Sequence, residues 1–281
     1  MNVEERALRF DCDDQSLYGI LSVPAQASPR GVLIVVGGPQ YRVGSHRQFT
    51  LLARDLAAQG VPVMRFDYRG MGDSEGEARQ FDTIEVDMRQ ALDQFFVLMP
   101  GLREVVIWGL CDGASAALFY AHRDVRVSGL VLVNPWARTD EGLAKAYLKH
   151  YYTARLFDRE LWRKILRGGF DYRAAVRSVF RLAGQAVAPR KESAAANVPP
   201  LPARLADGFR RFQGKVLLIL SGNDLTAQEF AELVKGSQDW QTQLRSSRVQ
   251  RRDLPEANHT FSQRGWRDQV SSWTREWITS W

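Results

Sequence analysis

The run Val105-Val106-Ile107-Trp108-Gly109-Leu110-Cys111-Asp112-Gly113-Ala114-Ser115-Ala116 constrains this chain more than any other stretch. It begins as an unbroken apolar strand and ends as an Ala-rich helix. The turn between them reads G-x-C-x-G. A strand that gives way to a helix so abruptly presses backbone against backbone, and side chains at positions 109 and 113 would collide. The apex residue, Cys111, is forced into a strained conformation with its side chain standing above the sheet. It also lies at a helix N-terminus, whose partial positive charge favours a thiolate. A cysteine held in this way is a candidate nucleophile. The plainer alternative is a small, inert side chain in a glycine-rich turn.

With 281 residues the chain can build one large α/β domain and carry an inserted cap. No apolar run is long enough to span a bilayer. The opening Met1-Asn2-Val3-Glu4-Glu5-Arg6 is polar and acidic, unlike a signal peptide. Two cysteines, Cys12 and Cys111, imply no disulfide framework, so a cytoplasmic, reducing compartment is expected. The net charge of +6 is unevenly spread. Residues 138–191 hold 13 Lys and Arg against 5 Asp and Glu, a local +8, which leaves the rest slightly acidic. The aromatics of that segment match no nucleic-acid module, so DNA and RNA are not expected partners. A solvated basic face is the default; attraction to anionic substrates, or weak contact with a membrane surface, is the sharper option.

Along the chain, Leu8, Phe10 and Cys12 and then Leu17, Gly19, Leu21 and Val23 alternate with polar residues, which predicts a hairpin turning at Asp13-Asp14-Gln15-Ser16. The acidic cluster at that turn lacks the spacing of a calcium loop. Gly31–Val36 is a continuous apolar run suited to a strand buried on both faces. Ser45-His46-Arg47-Gln48 has the S-x-x-Q form of a capping box and predicts a helix through Leu56 to Gln59. Val61–Phe66 is the next strand, Asp82-Thr83-Ile84-Glu85 opens a helix running to about Met99, and Val127–Val133 is a strand closing on Asn134-Pro135. Strands and helices alternate, so a mostly parallel sheet flanked by helices is expected. The rhythm stops at Trp136 and resumes at Lys215–Leu220, so residues 136–213 are assigned to a helical insertion between core segments 1–135 and 214–281. A last strand over Arg248–Leu254 and a C-terminal helix follow. Trp266, Trp273, Trp277 and Trp281 share one face of that helix and are read as core packing.

An activated thiol needs a base, and the base needs an orienting acid. Among four histidines, His259 alone lies just past the last strand and before the last helix. Asp224 follows the strand ending at Leu220, whereas Asn134 and Pro135 occupy the other common place for the acid, and Asp207 and Asp239 read as surface residues. The order Cys111, Asp224, His259 is the nucleophile–acid–base order of the α/β-hydrolase fold. An oxyanion would take one N–H from Asp112 and a second from the loop Gly37-Gly38-Pro39-Gln40. Pro39 has no N–H, so Gly38 and Gln40 remain as donors. There is no G-x-x-x-x-G-K-[ST], C-x-x-C or H-E-x-x-H, so no metal or cofactor is expected.

The loop Arg65-Phe66-Asp67-Tyr68-Arg69-Gly70-Met71-Gly72-Asp73-Ser74 resembles the D-x-R-G-x-G-x-S loop of α/β-hydrolases of the serine-aminopeptidase and monoacylglycerol-lipase type. Gly37–Arg47, the 109–116 elbow and Asn134-Pro135-Trp136-Ala137-Arg138 resemble the hydrolases encoded beside bacterial exosortase A systems, which accompany exopolysaccharide production. That resemblance implies a bacterial cytoplasmic hydrolase. The cysteine at the elbow also resembles dienelactone hydrolases and polyhydroxyalkanoate synthases, which implies ester hydrolysis or acyl transfer. The expected function is therefore cleavage of a small ester or thioester through an acyl-Cys111 intermediate. An acyltransferase with the same triad, and a silent binding protein on a hydrolase fold, stand as alternatives.

Overall fold

A computed structural model describes residues 3–38, 40–137 and 199–281. Strands β1 (Glu4–Cys12) and β2 (Gln15–Val23) form the expected hairpin. Its two turn residues, Asp13 and Asp14, have φ of 47° and 61°. Positive φ at both central positions is the two-residue turn whose twist matches that of paired strands, and Asp tolerates it well.

The remaining strands are β3 (Arg30–Val35), β4 (Val63–Asp67), β5 (Glu104–Leu110), β6 (Val127–Val133), β7 (Lys215–Asn223) and β8 (Val249–Asn258). They assemble into an eight-stranded sheet in the order β1-β2-β4-β3-β5-β6-β7-β8. β1 and β2, and β2 and β4, pair antiparallel; every other neighbouring pair is parallel. The central strands are buried on both faces, which is why Val32–Val35, Val105–Leu110 and Leu130–Val133 read as unbroken apolar runs.

Helices α1 (Gln48–Ala58), α2 (Glu85–Leu98), α3 (Asp112–Tyr120), α4 (Leu201–Arg211), α5 (Leu225–Lys235), α6 (Gln238–Leu244) and α7 (Arg264–Ile278) flank the sheet. Trp108 of β5 meets α1 through an edge-on contact with Phe49, at 5.6 Å between ring centroids. It meets α7 through a hydrogen bond from its indole N–H to Thr274 Oγ1, at 3.3 Å. The tryptophan stripe of α7 packs on the core: Val270 and Trp277 are buried, and Trp266 and Trp273 cover the core beside them. Trp281, expected on the same helix face, lies past the end of α7 and still packs against the core.

The capping box does not form. Ser45–Arg47 make a short 3₁₀ turn, His46 and Arg47 have φ of 54° and 60°, and α1 begins at Gln48 without a side-chain cap. The first N–H groups of α1 are satisfied elsewhere, because Phe49 and Thr50 both donate to the Val43 carbonyl, at 3.2 and 3.3 Å. Gly44 permits this approach, since a Cβ there would lie 2.7 Å from the Phe49 ring.

Most of the expected insertion, residues 138–198, lies outside the described residues, and with it the basic segment. The end of the expected insertion is α4, which lies on α3. Gly208 sits so close to the Leu118 carbonyl that a Cβ would reach 2.4 Å from its oxygen, and Leu205 and Phe209 are buried. Among the described residues no helix is long and apolar enough to cross a membrane.

Candidate active site

Cys111 links β5 to α3 with φ 60° and ψ −126°, a conformation seldom adopted by a residue with a side chain. The flanking glycines are required by contact. A Cβ on Gly109 would lie 2.4 Å from the Gly113 carbonyl oxygen, and one on Gly113 would lie 2.5 Å from the Val35 carbonyl oxygen. Both obstacles are backbone, so neither can swing aside. Gly109→Ala is therefore expected to lower stability by about 1–3 kcal/mol, in line with overpacking elsewhere. Urea denaturation measures this, and a midpoint equal to that of wild type would refute the contact argument.

β7 and β8 bring the other two residues together. The chains run so closely at their ends that a Cβ on Gly222 would lie 2.1 Å from the Pro255 carbonyl oxygen. Asn223 Nδ2 donates to the Glu256 carbonyl at 3.1 Å. Asp224 follows directly as the N-cap of α5, and its carboxylate accepts from the N–H of Thr226 at 3.1 Å and of Ala227 at 3.3 Å. The outer edge of the same buried carboxylate meets His259: Nδ1 stands 2.8 Å from Asp224 Oδ2. An N–H at Nδ1 leaves Nε2 as the basic nitrogen. Asp207 lies instead on the exposed face of α4, paired with Arg210 and Arg211, and Asp239 is in the exposed first turn of α6.

Asn134, at the end of β6, carries a role that the sequence did not suggest. It is fully buried, with φ 46°. Its amide donates to Ser221 Oγ at 2.9 Å and to the His259 carbonyl at 3.5 Å, while its oxygen accepts from the Ser221 N–H at 2.9 Å. One side chain thus ties the ends of β6 and β7 to the backbone of His259, just past β8. A buried polar residue at a strand end was the only available signal, and its partner is 87 residues away.

The loop engages both N–H groups expected as the second oxyanion donor. The Gln40 N–H donates to the Gly38 carbonyl at 2.8 Å, so it is already committed. The Gly38 N–H is engaged as well, by the Asp112 carboxyl across the elbow. Gly38 has φ +60°.

The D-x-R-G-x-G-x-S loop is scaffolding for this edge of the sheet. Buried Asp67 accepts from the Arg42 N–H at 2.6 Å and pairs with the Arg42 guanidinium. A Cβ on Gly72 would lie 2.3 Å from Asp67 Oδ2. Arg69 is bound to Asp87 and to Asp13, and Ser74 Oγ donates to the Asp67 carbonyl at 2.6 Å.

The two cysteines occupy opposite environments. Cys12 is 1% exposed, and burial, helped by the Asp87 charge, pushes its thiol up to about 11. Cys111 is partly exposed at a helix N-terminus. Iodoacetamide near neutral pH is expected to label Cys111 far faster than Cys12. Peptide mapping over a time course checks this, and equal rates at the two thiols would overturn it. Among the described residues no group of three or more His, Cys, Asp or Glu side chains could hold a metal ion.

The chain is similar to several known proteins. The chain is 26% identical over 117 residues to the polyketide transferase grgF of Penicillium sp. It is 27% identical over 139 residues to the quorum-quenching protein AidA of Acinetobacter baumannii. These stretches take in 39% and 46% of this chain and 38% and 43% of those proteins, so the chain spans less than half the length of the curated relatives it matches. The Pyrococcus furiosus esterase Pf2001 shares the fold at 15% identity, with a TM-score of 0.67 over 99% of this chain and 93% of that one. The model of the alpha/beta hydrolase family matches residues 32–270, from the first parallel strand to the last helix, and the chain belongs to that family.

Proposed function

We propose that this protein cleaves esters or thioesters through an acyl-Cys111 intermediate. The observation that carries this reading is the 2.8 Å contact of His259 Nδ1 with the buried Asp224 carboxylate, in a sheet whose elbow presents a cysteine. In this reading the Cys111 thiol passes its proton to His259 Nε2 as Sγ bonds to the acyl carbon. The N–H groups of Asp112 and Gly38 hold the tetrahedral oxyanion. Collapse breaks the C–O or C–S bond, and His259 returns the proton to the leaving alkoxide or thiolate. Water, deprotonated by the same imidazole, then releases the acid and restores the thiol. Amides are poorer substrates, because a thiolate leaves more readily than an amine and the intermediate reverts.

The similarity to the polyketide transferase grgF supports a second reading, in which a bound hydroxyl replaces water as the acyl acceptor. The sequence resemblance to exosortase-associated hydrolases supports a bacterial setting for either reaction.

The test is intact mass after rapid mixing with a panel of aryl esters and acyl thioesters. The expected result is one acyl adduct that maps to Cys111 and decays with turnover. Decay that quickens with an added alcohol and yields the new ester identifies transfer. No adduct and no turnover with any member of the panel would leave a binding protein on a hydrolase fold.

A further inference from the structure

The residue after Cys111 contributes more than a backbone N–H. The Asp112 side chain turns back against the loop after β3. A Cβ on Gly37 would lie 2.4 Å from Asp112 Oδ1, and one on Gly38 would lie 4.0 Å from it. That oxygen is shielded from solvent and makes no hydrogen bond of good geometry, although the N–H groups of Asp112, Gly38 and Gly113 lie against the carboxyl. A carboxyl group therefore stands beside the two N–H groups, of Asp112 and Gly38, that the oxyanion of the reaction requires.

We propose that the Asp112 side chain is itself a catalytic residue: as the neutral acid it donates a third hydrogen bond to the oxyanion, and as the carboxylate it competes for the same N–H groups and suppresses acylation. The proposal rests on the acyl-Cys111 reading above.

The physical argument has two parts. First, the charges conflict. An oxyanion and a carboxylate cannot share one set of donors in a partly desolvated site without strong repulsion, whereas a carboxylic acid there is a donor. Second, the surroundings bring the two forms of Asp112 within reach of each other. Burial raises its pKa above the ordinary carboxylate value; the N–H groups of Asp112, Gly38 and Gly113 and the charge of His259 pull the other way. The groups facing it from neighbouring elements are His259 after β8 and the buried Tyr68 after β4. The Tyr68 hydroxyl feels the Asp112, Asp87 and Asp67 charges and is itself raised by burial. Cys111 adjoins it in sequence. A buried carboxyl with one unsatisfied oxygen is costly to retain, and a proton on it relieves that cost.

The kinetics follow from opposed requirements. Acylation needs Cys111 and His259 in their deprotonated-pair form, which is gained as pH rises. It also needs Asp112 protonated, a state lost as pH rises. The single-turnover rate of Cys111 acylation is then bell-shaped in pH, falling about tenfold per pH unit on its alkaline side.

The experiment measures that rate by intact mass, with one aryl ester, across pH for wild type, Asp112→Asn and Asp112→Ala. All three keep the backbone N–H, and their thermal denaturation midpoints are recorded alongside. In Asp112→Asn, neutral and still a donor, the alkaline fall is expected to vanish, and the rate above neutrality to exceed wild type at least about tenfold. In Asp112→Ala the fall vanishes too, but the plateau drops on the order of 10–100-fold below that of Asn, the loss of one oxyanion donor. Rescue by Asn over Ala is not expected of a merely structural side chain. An alkaline fall that persists in Asp112→Asn overturns the proposal while leaving acyl-Cys111 intact. Absence of any adduct in wild type overturns both.

Discussion

Asp224→Asn is expected to leave the fold in place and lower kcat by about four orders of magnitude, as loss of the acid does in triads of the serine type. The two halves of that expectation come from the two edges of one carboxylate. Toward α5 it accepts from the N–H groups of Thr226 and Ala227, and an Asn carbonyl can cap the helix almost as well. Toward His259 it fixes the tautomer, and an amide no longer selects an N–H at Nδ1. The control is Asp207→Asn. Its ion pairs with Arg210 and Arg211 lie on an exposed helix face, so kcat should stay within a factor of two or so of wild type. Steady-state kinetics with an aryl ester and a thermal melt on each variant decide the matter. An Asp224→Asn enzyme within tenfold of wild type would move the acid elsewhere.

Cys111→Ala carries the other large effect, a fall in kcat on the order of 10⁶, if nucleophile and base act as a unit in this protein as in triad hydrolases generally. The same reasoning fixes the double variant. With the nucleophile gone, the base has nothing to deprotonate, so Cys111→Ala/His259→Ala should be no slower than Cys111→Ala alone. Strictly multiplicative losses would mean that the two side chains act independently, contrary to proton transfer between them. Alanine suits the elbow poorly in backbone terms, but so does cysteine, with its φ of 60°, so the variant adds no new strain.

What could be read in the sequence was whatever local sterics or strand ends impose. Gly109 and Gly113 announced the elbow because a five-residue turn leaves no room for side chains, and the structure places backbone oxygens where each Cβ would go. Asp224 and His259 were legible because a parallel sheet delivers loop residues to one edge, and apolar runs mark where that edge lies. The failures share a different cause. Ser45 has the sequence of a cap, yet the N–H groups it would serve are satisfied by the Val43 carbonyl, which reaches them only through the local packing of Gly44 on Phe49. Gly38 and Gln40 are not told apart by spacing, and the hydrogen bonds that engage their N–H groups, to the Asp112 carboxyl and to the Gly38 carbonyl, are set by the folded loop. Asn134 and the side chain of Asp112 act through contacts set by the fold, and no spacing along the chain encodes them.

The platform behind His259 is built from uncharged groups: the Asn134 amide, the Ser221 hydroxyl and the carbonyls of Asn258 and His259. Concentrated salt weakens ion pairs open to solvent, such as Arg6 with Glu4 and Arg264 with Asp268. It has little purchase on neutral hydrogen bonds between buried groups. Ionic strength therefore becomes a selective probe of this protein. A response in kcat/KM without one in kcat reports the approach of a charged substrate, with the backbone that carries His259 held in place throughout.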